Sequence, residues 1–375
     1  MSEPIRVLHV IGIMNRGGAE TMIMNLYRHI DRNKVQIDFV ENSNEPAAFD
    51  EEILSLGGKI FHCPHYNGKN HFGYVKWWND FFKEHRGEYP IIHGHLGSTA
   101  AIYLSAAKKY GIYTIAHSHS SGTSHGFKSL LYKIMSYNTR NVADYFFACS
   151  EAAGKDRFGS RVTSGEHYSV LNNAIDAAKF SFDSSVREAV RSEFGYGREQ
   201  LVVGHIGRYT KEKNHEFVIK IFSEIRKIDK NTRLLMVGDG PLHAQMVHAA
   251  EQSGIASDTI FTGVRSDVER LMQAMDVFIL PSLYEGLPVT MVEAQAAGLP
   301  CIISDKVPPE CIITEGLVDI LPLSAEPALW AEKILGKRNI LRTDHRAEIA
   351  AHGFNITTEA VKLQEFYLNV YGQMH

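Results

Sequence analysis

The sequence predicts an α/β protein made of two doubly wound, Rossmann-like parallel-sheet domains. Short apolar runs recur almost from end to end, with amphipathic stretches of helical spacing between them. The runs are continuous rather than alternating, which is the pattern of strands buried on both faces of a parallel sheet. A polar, helical segment at 176–200 interrupts the series midway, and a fresh strand with a glycine-bearing loop begins at Leu201, much as the first began at Ile5. Two domains follow, expected over 1–175 and 176–356.

Taken in order, the strand candidates of the first half are "IRVLHVIG", "VQIDFVE", "KIFHCP", "PIIHGHL", "YTIAHSH" and "YFFACS". Those of the second half are "LVVGHIGR", "TRLLMVGDG", "TIFTGV", "VFILPS" and "PCIISD". Helical patterns such as "AETMIMNLYRHID" and "DVERLMQAMD" fall between them. In open α/β sheets ligands lie beyond the carboxyl ends of the strands, and two such domains are expected to share a cleft. The informative residues are therefore those just after each strand.

Composition narrows the classes. At 375 residues, 44% hydrophobic and 22% charged, the chain can build sizeable cores. A formal charge of -4 offers nucleic acid no electrostatic footing. No apolar run nears the roughly 20 residues that cross a bilayer, and the opening "MSEPIRVLHVIG" is too short and polar for a secretory signal. Cys63, Cys149, Cys301 and Cys311 contain no Cys-x-x-Cys pair and suit free thiols in a reducing cytoplasm. Nineteen histidines are many, but none shows a local zinc-ligand spacing.

The loops carry the chemistry. Gly17 and Gly18 precede a helix whose first-turn amides are unpaired and partly positive, so an anion can approach the backbone there. No Gly-x-Gly-x-x-Gly stands in this loop, and taken alone it is an ordinary glycine turn. His117 and His119, among Ser118, Ser120 and Ser121, stand at a strand end, where a histidine can bond sugar hydroxyls or stabilise developing charge. His95 has the same placement, with a structural role as its plainer explanation. Arg208 and Lys213 flank the turn after the first strand of the second half and could grip one diphosphate from two sides; the alternative is a solvated basic turn. Gly238 and Gly240 mark another strand-to-helix turn, where glycine is often needed sterically.

The stretch "FILPSLYEGLPVTMVEAQAAGLPCI" completes the set. Pro288 suits the first turn of a helix, leaving the amides of Gly286, Leu287 and Val289 open to an anion. Glu285 lies just before that helix and Glu293 inside it, each able to accept two hydrogen bonds from a vicinal diol. Taken alone, the pair has a plainer and better explanation: Glu285 favours the helix dipole and Glu293 is solvated.

In their order, "NRGGAE", "AHSHS", "GRYTKEKN", "LLMVGDGP", "FTGVRSDV" and "DVFILPSLYEGLPVTMVEAQAAGLPCIISD" resemble glycosyltransferase family 4, retaining enzymes of GT-B architecture, and in particular members that build exopolysaccharide or capsule. The resemblance implies that the first domain binds the acceptor and the second the donor. A final helix, about 357–375, would pack back on the first domain. Arg208 and Lys213 would bind the donor diphosphate, Glu293 the ribose, and Glu285 with Gly286, Leu287, Pro288 and Val289 the hexose. Gly238 belongs to the same donor side, and the backbone around Val264 and Arg265 would cradle the nucleobase. His117 matches the family's active-site histidine, so the catalytic set would be His117, Glu285, Arg208 and Lys213. Gly17 and Gly18 would close over the phosphates. His95 and His119 are acceptor-side candidates, His119 without a family role.

The implied reaction moves a hexose from a nucleotide-sugar, expected to be a UDP-sugar, to a saccharide or lipid-linked acceptor. The resemblance implies that it needs no cofactor and no metal, and no Asp-x-Asp stands at a strand end. Rivals are a same-fold nucleotide-sugar epimerase or hydrolase, an oxidoreductase disfavoured by the missing fingerprint, and an idle sugar-nucleotide binder. The segment 125–140 mixes Lys128, Lys133 and Arg140 with Phe127, Tyr132 and Tyr137. It is read either as a face for a lipid-linked acceptor or the anionic inner membrane surface, or as a partly buried amphipathic helix.

Overall fold

The computed structural model describes residues 3–119 and 136–374. Its chain forms two compact units, Met1–Ala174 with Ile356–His375 and, separately, Ile175–Asn355. Each is built on one parallel sheet.

The first sheet holds β1 (Ile5–Ile11), β2 (Val35–Glu41), β3 (Ile60–His62), β4 (Ile91–Gly94), β5 (Tyr113–Ser118), β6 (Tyr145–Ala148) and β7 (Tyr168–Val170), in the order β3-β2-β1-β4-β5-β6-β7. The order reverses between β1 and β4, which opens a crevice at their carboxyl ends. Side chains alternate between the two faces of a strand. Val7, Ile11, Ile91 and Ile115 thus join one core, while Leu8, Val10, Ile92 and Ala116 join the other with Trp78 and Tyr103. The final helix, Ile356–Met374, covers the first of these faces. Its Ile356, Ala360, Leu363, Tyr367 and Val370 recur at three- and four-residue intervals and bury together there.

The second sheet holds β8 (Leu201–Ile206), β9 (Thr232–Val237), β10 (Thr259–Phe261), β11 (Val277–Leu280), β12 (Cys301–Ser304) and β13 (Val318–Leu321), in the order β10-β9-β8-β11-β12-β13. Here the order reverses between β8 and β11. The polar segment at 176–200 supplies helices Ala177–Phe180 and Ser184–Glu193 to this unit. β7 and β13 lie outside the apolar runs that mark the other strands. Both are edge strands, with intermediate or exposed positions that break the continuous pattern. All four cysteines are buried free thiols. No helix among the described residues is long and apolar enough to cross a membrane.

Candidate active site

In the second unit the loops after β8 and β11 are tied together, because those strands are neighbours. The Lys213 Nζ donates to both oxygens of Glu285, at 2.7 and 2.9 Å. The Ser282 hydroxyl donates to Glu285 Oε1 at 2.6 Å, and Ser304 Oγ holds the Ser282 carbonyl at 2.6 Å. Leu283 N donates to the Glu212 carbonyl and Asn214 Nδ2 to that of Pro281. Asn214 adopts the left-handed conformation, φ 55°, that ends the Lys211–Lys213 turn and starts the next helix. The nearly buried Glu285 carboxylate is thus fixed from two sides, and Lys213 spends its charge on Glu285. Arg208, on the same loop, is exposed, and its side chain makes no hydrogen bond or ion pair among the described residues.

The helix beyond Glu285 runs Val289–Ala296. Pro288 is its N-cap, with φ -73° and ψ 102°, rather than a residue of its first turn. An extended ψ places proline one position earlier, so the first-turn amides begin at Val289. No side chain caps them, leaving donors free at the helix end. Gly286 and Leu287 lead into this end. Glu293 sits one turn in, half-buried and without a donor or cation beside it. Burial, reinforced by the charge of Glu269, pushes its carboxyl up to about 7.

Gly238 and Gly240 have φ 131° and 157°. A Cβ on Gly238 would lie 2.1 Å from the Gly207 carbonyl oxygen, and one on Gly240 would lie 2.7 Å from that of Tyr209. These glycines let the loop after β9 pass over the backbone that carries Arg208, so Gly238 shapes the loops around that residue. Gly238 N also donates to the Gly263 carbonyl at 2.9 Å, pinning the turn before Val264. Val264 is exposed and its backbone makes no hydrogen bond among the described residues. The Arg265 guanidinium is engaged by both oxygens of Asp267, each at 2.7 Å, leaving the backbone as this segment's free element.

In the first unit, Gly17 caps the helix Gly18–His29 without a side-chain bond, and both glycines are exposed. A Cβ on Gly17 would stand 2.2 Å from Glu20 Oε2, whereas Gly18 faces open space. The chain's own Glu20 carboxylate therefore occupies the room above Gly17, where an incoming anion was expected. Buried Glu41, at the end of β2, accepts from Met14 N at 2.8 Å and anchors this loop.

The histidines hold the main surprise. His117 is the fifth residue of β5, not beyond it; His95 and His119 follow the ends of β4 and β5. They meet two residues that no local spacing flagged, His9 on β1 and His93 on β4, which are register partners. His93 Nε2 pairs with His117 Nδ1 at 3.1 Å, His95 Nδ1 with His119 Nε2 at 2.7 Å, and His95 Nε2 with His9 Nδ1 at 3.0 Å. Tyr367 of the final helix bonds His9 Nε2 at 3.1 Å and His93 Nδ1 at 2.6 Å. Burial lowers all five imidazoles, His9 to about 3 and His119 to about 4, so each is neutral. The recurring histidines in the strand motifs "LHV", "HGH" and "HSH" were the available signal; only the strand order brings them together.

Ser120, Ser121, Phe127, Lys128, Tyr132 and Lys133 lie outside the described residues. Arg140 is used internally: it donates to the Arg157 carbonyl at 3.0 Å and lies over the Tyr137 ring.

Residues 16–179 match the family described as Glycosyltransferase Family 4, and residues 200–336 that described as Glycosyl transferases group 1. The putative glycosyltransferase EpsF of Bacillus subtilis is 39% identical over 334 residues, covering 88% of this chain and 86% of that protein. The chain belongs to glycosyltransferase family 4. A second relative, the Escherichia coli UDP-Gal:alpha-D-GlcNAc-diphosphoundecaprenol alpha-1,3-galactosyltransferase, is 25% identical over 307 residues, 76% of each chain. Among solved structures, Anabaena Alr3699/HepE in complex with UDP and glucose superposes with a TM-score of 0.77 at 19% identity, covering 97% of this chain and 100% of that one. The fold of this family 4 member is GT-B, and it is a glycosyltransferase acting on a sugar-nucleotide donor.

Proposed function

We propose that this enzyme transfers a hexose from a UDP-sugar to a lipid-linked saccharide, with retention of configuration and without a metal, in exopolysaccharide synthesis. The observation that carries the donor side is the Lys213–Glu285 pair, which joins the loops after β8 and β11 beside an uncapped helix end. An arriving diphosphate offers Lys213 a stronger anion, and Glu285 is then freed to accept from hexose hydroxyls. Arg208, the exchanged Lys213 and the first-turn amides take up the negative charge that grows on the leaving diphosphate, the work a divalent ion does elsewhere. Glu293 accepts from the ribose, and the Val264–Arg265 backbone lines the base.

His117 bonds the sugar near its reacting carbon. The acceptor hydroxyl attacks on the face the diphosphate leaves, and a departing phosphate oxygen takes its proton. The uridine nucleotide is supported by the names of the E. coli and Anabaena proteins, and the lipid-linked acceptor by the former. The site of action on this reading is the cytoplasmic side of the membrane. Contact with the inner leaflet is checked by co-sedimentation with anionic liposomes at low salt; protein left in the supernatant rejects that contact.

A panel of UDP-sugars, with lipid-linked saccharide acceptors and with chelator present, tests the reading by release of UDP and the anomeric configuration of the product. Acceptor-dependent UDP release that survives chelation is expected for one donor. UDP release with the sugar left free or epimerised would instead favour the same-fold epimerase or hydrolase.

A further inference from the structure

The histidines of the first unit contain more order than a binding site needs. His9, His93, His95, His117 and His119 share one parity along their strands, so all project to the face that the final helix covers with Tyr367. Five hydrogen bonds join the six residues into one unbranched chain. Tyr367 is the junction. One arm runs through His93 to His117, the other through His9 and His95 to His119. Both arms end on a buried nitrogen with no partner among the described residues, His117 Nε2 and His119 Nδ1.

We propose that these six residues form a two-state proton relay in which His117 Nε2 and His119 Nδ1 always have opposite hydrogen-bonding character, linked through Tyr367. The reasoning is a proton count. A neutral imidazole has one N–H and one lone-pair nitrogen, and a tyrosine has one O–H. Five rings and one phenol bring six protons to five hydrogen bonds, so one proton is left for a free end. If Tyr367 donates to His9, the second arm donates outward and His119 Nδ1 carries the spare proton. His93 must then donate to Tyr367, His117 Nδ1 donates to His93, and His117 Nε2 is left as an acceptor. If Tyr367 donates to His93, every bond reverses: His117 Nε2 becomes the donor and His119 Nδ1 the acceptor. In the first state all five rings are Nδ1–H tautomers; in the second all five are Nε2–H.

Two trios of these nitrogens, from His9, His93 and His95 and from His95, His117 and His119, are close enough to surround a metal ion. The paired nitrogens, however, are 2.7–3.1 Å apart, shorter than the roughly 3.3 Å edge of a tetrahedral zinc site. They are ring-to-ring hydrogen bonds.

On the proposed function this relay has a use. A ligand oxygen that accepts from His117 Nε2 draws the network into its Nε2–H state, which leaves His119 Nδ1 ready to accept from a hydroxyl. A proton entering at His119 and another leaving at His117 return the network to its Nδ1–H state without creating a buried imidazolium. His9, His93, His95 and Tyr367 are positioning residues in this scheme. The relay itself does not rest on the proposed function; only this use does.

Two-bond proton–nitrogen correlation spectra of ¹⁵N-histidine protein, dialysed against chelator near neutral pH, read each tautomer directly. Single substitutions assign the five rings. One common tautomer population for all five is expected; any mixture, such as His9 as Nδ1–H with His93 as Nε2–H, overturns the relay. In Tyr367→Phe the arms should separate, with His93 and His117 sharing one population and His9, His95 and His119 another. Five rings that still move together in that variant would remove Tyr367 as the junction and sink the proposal. UDP-glucose is then added, with UDP release followed in parallel. Turnover accompanied by a joint shift of all five rings supports the coupling, and turnover with unmoved tautomers overturns it. If UDP-glucose is not a donor, the ligand-free spectrum still decides the relay.

Discussion

At the scale of single residues, Glu293, proposed above to hold the ribose, carries a folding cost rather than a gain. Its carboxyl is raised by burial to about 7 and has no donor beside it. The folded protein therefore bears a cost for its charge that is absent below the ordinary carboxylate pKa, grows as pH rises, and is complete above about 7. Ribose hydroxyls would repay that cost by bonding the ionised form, which lowers the pKa in the complex. Donor affinity should accordingly be flat above pH about 7 and weaken below it, by at most tenfold per pH unit, as followed by calorimetry. Glu293→Gln should melt a few degrees higher than wild type at alkaline pH, yet bind UDP at least tenfold more weakly. A variant with unchanged affinity would remove Glu293 from the site. Glu285→Ala should act differently: Lys213 loses its resident partner, so UDP binding persists while turnover falls by about a hundredfold.

At the scale of elements, the proposed donor side depends on loops crossing closely. Gly238→Ala puts a methyl where the Gly207 carbonyl already stands, at a φ of 131° that side chains rarely adopt. A stability loss of about 2 kcal/mol or more is expected in denaturant melts, together with weaker donor binding. Gly18→Ala, facing open space at the start of a helix, should cost little stability and serves as the control. Strand ends were legible in the sequence because buried parallel strands are continuous apolar runs, so Arg208, Lys213 and His95 could be placed beside the right elements. Pro288 was displaced by one residue, since its fixed φ suits both the cap and the first turn and only ψ separates them. The edge strands β7 and β13 were not legible, because an edge need not be apolar throughout.

At the scale of the whole molecule, the final helix is as much a part of the first unit's core as any strand that precedes it by hundreds of residues. Removing residues 356–375 would expose the face of Val7, Ile11, Ile91 and Ile115 and leave His9 and His93 without Tyr367. Such a truncation should be insoluble or rapidly proteolysed in the first unit; a truncated protein with wild-type protease resistance would contradict this. By itself the sequence determined the α/β class, the restart at Leu201, the family and the loops that could carry chemistry, because hydrophobic period, glycine placement and strand-end motifs are local properties. Only the tertiary structure decided that Lys213 meets Glu285, that Glu20 fills the space over Gly17, and that five scattered histidines join at Tyr367. Those contacts depend on strand order and register, which bring residues up to 358 positions apart within one hydrogen bond of each other, and no local pattern encodes that distance.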